Sequence, residues 1–127
     1  MECFHMKLNL RTFVLGFMGI IGTLTAGAGL LVPETAFGED SMSIVILSNL
    51  RAFTGAELLL ALFALYSLSN KKYQEPALIF LLLTFIGWTI GQVLSYVVDG
   101  SADAFTTGGI IIQALFIPLT WAALKKK

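Results

Sequence analysis

Two charged side chains stand out because of where they lie. Arg51 and Glu57 fall inside the apolar stretch from Ser43 to Ser69, and they are the only full charges in any of four such stretches. A charge at bilayer depth costs roughly 2.5–3.5 kcal/mol even on insertion scales, so it must be paired, hydrated or drawn toward the interface. Six residues apart, the two differ by about 120° around a helix and by ~9 Å along it. That is not the three-or-four spacing of a direct pair. Thr54 lies three residues from each and is placed to relay a hydrogen bond between them. Counted from the outer helix ends, Arg51 lies roughly 10 Å deep, Gln92 about 9 Å, Gln113 about 12 Å and Thr25 about 10 Å. All four apolar stretches thus put a polar group at nearly one level. Arg51, Thr54, Glu57, Gln92 and Gln113 form a candidate intramembrane polar cluster in which Arg51 donates to the two glutamines. Glu57, at roughly 20 Å, is expected to be neutral, because burial disfavours an ionised carboxylate. Pro118 removes a helical donor and frees a carbonyl near Ala114, which a neutral Glu57 would reach. Blander uses exist for each residue. Arg51 snorkels toward the outer loops on its long stem, Glu57 is a hydrogen-bonded core residue, and the glutamines join helices.

Other chemistry has little to work with. Cys3 and His5 are the only cysteine and histidine, two apart near the start, and have no partner ligands elsewhere for a metal. A haem held between two histidines has no ligands. No nucleophile has a base beside it, and no glycine-rich loop followed by lysine is present to cradle a phosphate. Neither a catalytic residue nor a cofactor or metal site is therefore expected, and the chain is not expected to be an enzyme. Its formal net charge of zero gives nucleic acid nothing to bind.

The elements that position the polar residues are read from hydropathy. Of 127 residues 57% are hydrophobic and only 13% charged, about half the charge of an average soluble domain. Four stretches, at 12–32, 44–69, 77–98 and 105–124, approach the ~20 residues that cross the hydrocarbon. The expectation is an all-α, single transmembrane domain. Gly16, Gly19, Thr23 and Ala26 line one face of the first helix, with Gly22 and Gly29 beside them, and small residues let helices pack closely in lipid. Lys7 and Arg11 ahead of this stretch, with Ala26-Gly27-Ala28 late in it, also resemble a cleaved secretory signal. A mature protein starting near Gly29 would end the four-span reading. Pro33 to Met42 is an acidic loop opened by Pro33 and turned at Gly38. Asn70 to Glu75 is a polar turn, with Pro76 suited to the first turn of the next helix. Gly87 and Gly91 form a GxxxG pair, extended by Thr84 and Ser95, that serves either dimerisation or packing within the chain. Asp99 to Thr107 is a second acidic loop.

The charges sort by loop. Lys7, Arg11, Lys71, Lys72 and Lys125 to Lys127 fall on one side of a four-span arrangement, and Glu34, Glu39, Asp40, Asp99 and Asp103 on the other. The positive-inside rule then puts both termini in the cytoplasm. Short loops make neighbouring helices antiparallel, which predicts an up-down-up-down four-helix bundle. Tyr73 and Trp121 sit near one boundary and Tyr96 near the other, as interfacial aromatics do.

Pro33, Phe37-Gly38, the run Asn49-Leu50-Arg51-Ala52-Phe53-Thr54-Gly55 and the helix end Val98-Asp99-Gly100 resemble the domain-of-unknown-function 4345 family over nearly the whole chain. The resemblance implies a small, mostly bacterial, four-helix membrane protein with no assigned activity. It also implies an arginine near position 92 and an acid near position 113, where this chain has glutamines, so an amide pair replaces a possible ion pair. Taken together, a bacterial inner-membrane protein with a structural, accessory or small-ligand-binding role is expected. Its partners are the lipid bilayer and either further copies of itself or another membrane protein. The alternative is a small oligomeric proton-coupled exporter that uses Glu57.

Overall fold

The computed structural model describes residues 9–33, 43–100 and 104–126. Cys3, His5, Lys7, the Phe37-Gly38 pair, the acidic residues Glu34, Glu39, Asp40 and Asp103, and Lys127 lie outside them. The described chain is all helix and turn: α1 (Leu10–Leu31), α2 (Ile44–Ser69), a 3-10 turn (Lys71–Tyr73), α3 (Gln74–Asp99) and α4 (Ala104–Lys125). All four helices are long and apolar enough to span a membrane.

Local chemistry sets their ends. Asn9 caps α1 reciprocally: its side chain accepts from the Thr12 N–H at 2.9 Å, and its own N–H donates to Thr12 Oγ1 at 3.0 Å. Ser43 accepts from the Ile46 N–H and starts α2. Asn70 accepts from the Lys72 N–H and sets the 3-10 turn. The polar turn predicted over 70–75 is therefore shorter than expected. Helix α3 already begins at Gln74, because Glu75 suits a helix N-terminus and Pro76, in the first turn, has no amide hydrogen to lose. Gly100 ends α3 in the left-handed region at φ 79°, its N–H returning to the Tyr96 carbonyl at 3.1 Å.

Helices α1 and α2 make the closest pair, and glycine permits it. A Cβ built on Gly19 would lie 2.7 Å from Leu65 Cγ and 3.2 Å from the Ala61 carbonyl oxygen, and one on Gly22 would lie 3.0 Å from Ala61 Cβ. Further along, Gly16 faces Leu68 and Gly55 faces Leu30. On α3 and α4, Phe85 meets Phe116 and Thr89 meets Gln113. On α2 and α3, Phe53 stacks on Trp88 and Phe63 meets Phe80 edge-on. On α1 and α4, Phe17 stacks on Phe116, and the Arg11 guanidinium donates to the carbonyls of Ala123 and Leu124 at 2.8 and 3.0 Å. Along each of these pairs, residue numbers rise on one helix as they fall on the other.

The core is not spread along the bundle. It consists of Val14, Leu15 and Met18 from α1, Ala64 from α2, Ala77, Leu78, Leu81 and Phe85 from α3, and Ala123 from α4. These residues belong to the end where Arg11 ties α1 to α4. Toward the other end α3 loses its neighbours and the outer side of α2 is bare. Residues Ser48, Asn49, Arg51, Ala52 and Phe53 of α2 are exposed, and so are six consecutive residues of α3, Val93 to Val98. Six consecutive exposed residues go round a whole helix, so α3 has no covering neighbour there. Helices α1 and α2 stay together, with Leu30 against Gly55 and Ala26 and Gly29 buried. The bundle is closed at one end and splayed along α3 at the other.

Candidate functional site

The inner stripe of α3 steps by threes and fours through Gln74, Ala77, Leu78, Leu81, Leu82 and Phe85, all buried. Continued by the same steps it becomes Trp88, Thr89 and Gln92, just where the apolar core gives out. Facing it on α4 is Gln113, only 2% exposed. Thr89 Oγ1 lies 2.8 Å from both the Phe85 carbonyl and Gln113 Oε1. One hydroxyl has one proton, so the two contacts hold together when the Gln113 amide turns its NH₂ to donate to Thr89 while Thr89 donates to Phe85. Gln92, one turn on, lies against Gly109. A Cβ there would come within 3.0 Å of Gln92 Nε2, so the glycine is what lets the amide lie on the backbone of α4. Phe53 of α2 covers the Trp88 ring at a centroid distance of 5.4 Å.

Two groups in this stripe are buried without a hydrogen-bonding partner: Trp88 Nε1 and Gln92 Oε1. Thr120 Oγ1, in the closed half, is a third. In lipid such groups cannot turn to water and are costly to leave unanswered.

The predicted cluster is rearranged. Arg51 is exposed and donates to neither glutamine; the first turns of α2 turn Leu47, Leu50 and Thr54 toward cover, and Arg51 falls beside that face, on the exposed side with Ser48 and Ala52. Thr54 is buried as an inward residue should be, but its hydroxyl bonds back to the carbonyls of Leu50 at 2.8 Å and Arg51 at 3.3 Å. It therefore relays nothing between the two charged side chains. Glu57 is half-buried and does not reach the Ala114 carbonyl, because Ala114 is exposed on α4 and α2 and α4 are not packing neighbours. Thr25 bonds back to Ile21 and is exposed. Gln92 and Gln113 do share the inner α3–α4 face, but each meets a different partner and no bond joins them. Among the described residues no group of three or more His, Cys, Asp or Glu could hold a metal ion.

Sequence reasoning missed Trp88, Thr89 and Gly109. The signal was available: extending the 3–4 stripe of α3 past Phe85 names Trp88, Thr89 and Gln92 together. In sequence Arg11 is only a loop charge, and nothing in its local surroundings shows that it binds the end of α4.

Neither a curated protein nor a solved structure matches this chain. The family model described as a domain of unknown function, DUF4345, matches residues 10–124. With that match spanning nearly every described residue of four membrane-length helices, the chain belongs to the DUF4345 family.

Proposed function

We propose that this protein is a non-enzymatic, small-ligand-binding bundle of the bacterial plasma membrane, threaded up-down-up-down with both termini in the cytoplasm. The opposed residue numbering along the α1–α2, α2–α3, α3–α4 and α1–α4 pairs supports that threading, as does the segregation of lysine-bearing from carboxylate-bearing loops. Helix α1 supplies Val14, Leu15 and Met18 to the core, which favours a retained span over a cleaved signal. One observation carries the ligand-binding role: the inner stripe of α3 turns from hydrocarbon to Trp88, Thr89 and Gln92 where the helices splay. A purely structural bundle gains nothing by leaving inward polar groups unanswered there.

The test is to purify the protein in mild detergent and analyse what it carries by mass spectrometry. A small amphiphile retained at a fixed stoichiometry is expected, lost when Trp88 is replaced by Leu. A preparation that carries only bulk lipid, and that no lipid extract stabilises, would sink the reading. The exporter reading keeps one observation in its favour, a half-buried Glu57 with no hydrogen-bonding partner among the described residues. Full retention of a resistance or flux phenotype in Glu57→Gln removes it.

A further inference from the structure

The two unanswered groups in the splayed half have opposite polarity. The indole N–H of Trp88 only donates, and Gln92 Oε1 only accepts. Four residues apart, they project from one face of α3, separated by about 6 Å of rise. A single group answering both must accept one hydrogen bond and donate another. A ketone, ester or ether satisfies Trp88 and leaves Gln92 unpaired. An ammonium does the reverse, and a carboxylate sets negative charge against the amide oxygen. A hydroxyl satisfies both. Water also offers a hydroxyl, but buried waters usually make about three hydrogen bonds and this pair offers two, which leaves one water proton unanswered. An alcohol has carbon at that position. Gly109 has no Cβ to press on the Gln92 amide, whose Nε2 lies 3.0 Å from where one would be. Beyond the pair α3 is exposed on every face from Val93 to Val98, so an apolar tail leading away from the hydroxyl meets no covering helix.

We propose that Trp88 and Gln92 form a two-point site for the hydroxyl group of a neutral, long-chain alcohol, which accepts from the indole N–H and donates to the glutamine oxygen. This rests on the ligand-binding reading above and names the chemistry of the ligand. The chain has two tryptophans, so Trp121→Phe leaves Trp88 as the sole indole reporter. In phosphatidylcholine nanodiscs, 1-decanol should produce a saturable red shift of Trp88 emission. Decyl methyl ether, which accepts but cannot donate, should bind roughly fivefold more weakly at matched membrane concentration. Gln92→Met should bring decanol down to the level of the ether and leave the ether unchanged. Gly109→Ala, which presses on the Gln92 amide from α4, is a second variant should Gln92→Met fail to assemble, and it should weaken decanol selectively. Equal binding of alcohol and ether would overturn the hydroxyl site while leaving ligand binding itself intact. A Trp88 already hydrogen-bonded in plain nanodiscs by Raman, and unmoved by decanol, would assign the site to water and overturn the proposal. No response to any probe, together with no retained amphiphile, would remove the ligand-binding reading as well.

Discussion

At the scale of single residues, glycines of one helix have opposite fates, and the contacts at each decide which. Gly19 is closed in by Leu65 Cγ and by the backbone oxygen of Ala61, neither of which is the far end of a flexible chain. Gly19→Ala should therefore push α1 off α2 and destabilise the bundle by about 1–3 kcal/mol, read as a lowered melting temperature in detergent. Gly27 has nothing within 4 Å of its would-be Cβ. Gly27→Ala should be neutral, or stabilising by up to roughly 1 kcal/mol through helix propensity. A melt in which both variants behave alike would mean that α1 and α2 are not in close contact. Gln113 presents a subtler case. Its buried amide meets Thr89, but Thr89 keeps the Phe85 carbonyl whether or not the amide is there. Gln113→Leu should thus cost only about 0.6 kcal/mol, the usual worth of such a bond between membrane helices, and a loss several times larger would show that the amide does more than bridge. Thr54 and Gln113 are buried and Gln92 is half-buried; depth and helical phase, being local properties, are what the sequence can indicate for them. For Arg51 it left an inward and an outward use open; the side chain is exposed, and which use wins depends on how the neighbouring helices pack, which no single segment encodes.

At the scale of helices, the boundaries were legible to within a few residues, since proline, the cap residues Asn9, Ser43 and Asn70, and Gly100 act locally. The lateral arrangement was not. The GxxxG pair of α3 illustrates the difference: a Cβ added to Gly87 or Gly91 would have nothing within 4 Å, so packing within this bundle does not use them. The inner stripe of α3 takes a different face, and a motif defined by spacing alone cannot say which face a helix turns inward. Arg11 was underestimated for a similar reason. From the first turn of α1 it donates to two carbonyls of the last turn of α4, where main-chain oxygens lack helical donors and the dipole favours a cation. Arg11→Ala should cost about 1–2 kcal/mol and speed amide hydrogen exchange at the end of α4. Arg11→Lys keeps the charge but not the two-pronged geometry, so it should recover only part of the loss. Complete rescue by lysine would reduce the tie to simple charge.

For the whole molecule, the salient fact is asymmetry. The core, the Arg11 tie and the cation–π contacts of Lys72 with Tyr73 and Lys125 with Trp121 all lie toward one end, while the unanswered polar groups of α3 lie toward the other. Lysines mark the closed end and carboxylates the loops of the open one. If the positive-inside rule governs, the closed end is cytoplasmic and the splayed half, with Trp88 and Gln92, opens within the outer leaflet. Ligand would then enter laterally from lipid on the outer side, without crossing the core. The assignment is testable with Cys3→Ser as background and single cysteines introduced as Lys71→Cys and Ser101→Cys. A membrane-impermeant maleimide should label Ser101→Cys on intact cells and Lys71→Cys only after lysis. Labelling of both from one side would break the four-span threading, and the reverse pattern would place the splayed half in the inner leaflet. The same asymmetry predicts exchange rates: backbone amides over 46–53 and 93–98 should exchange before those of the core half around Leu15, Ala64 and Leu78, because local opening is easiest where few contacts are lost. Addition of a ligand to the outer half should slow exchange in these two segments and leave the closed end unchanged.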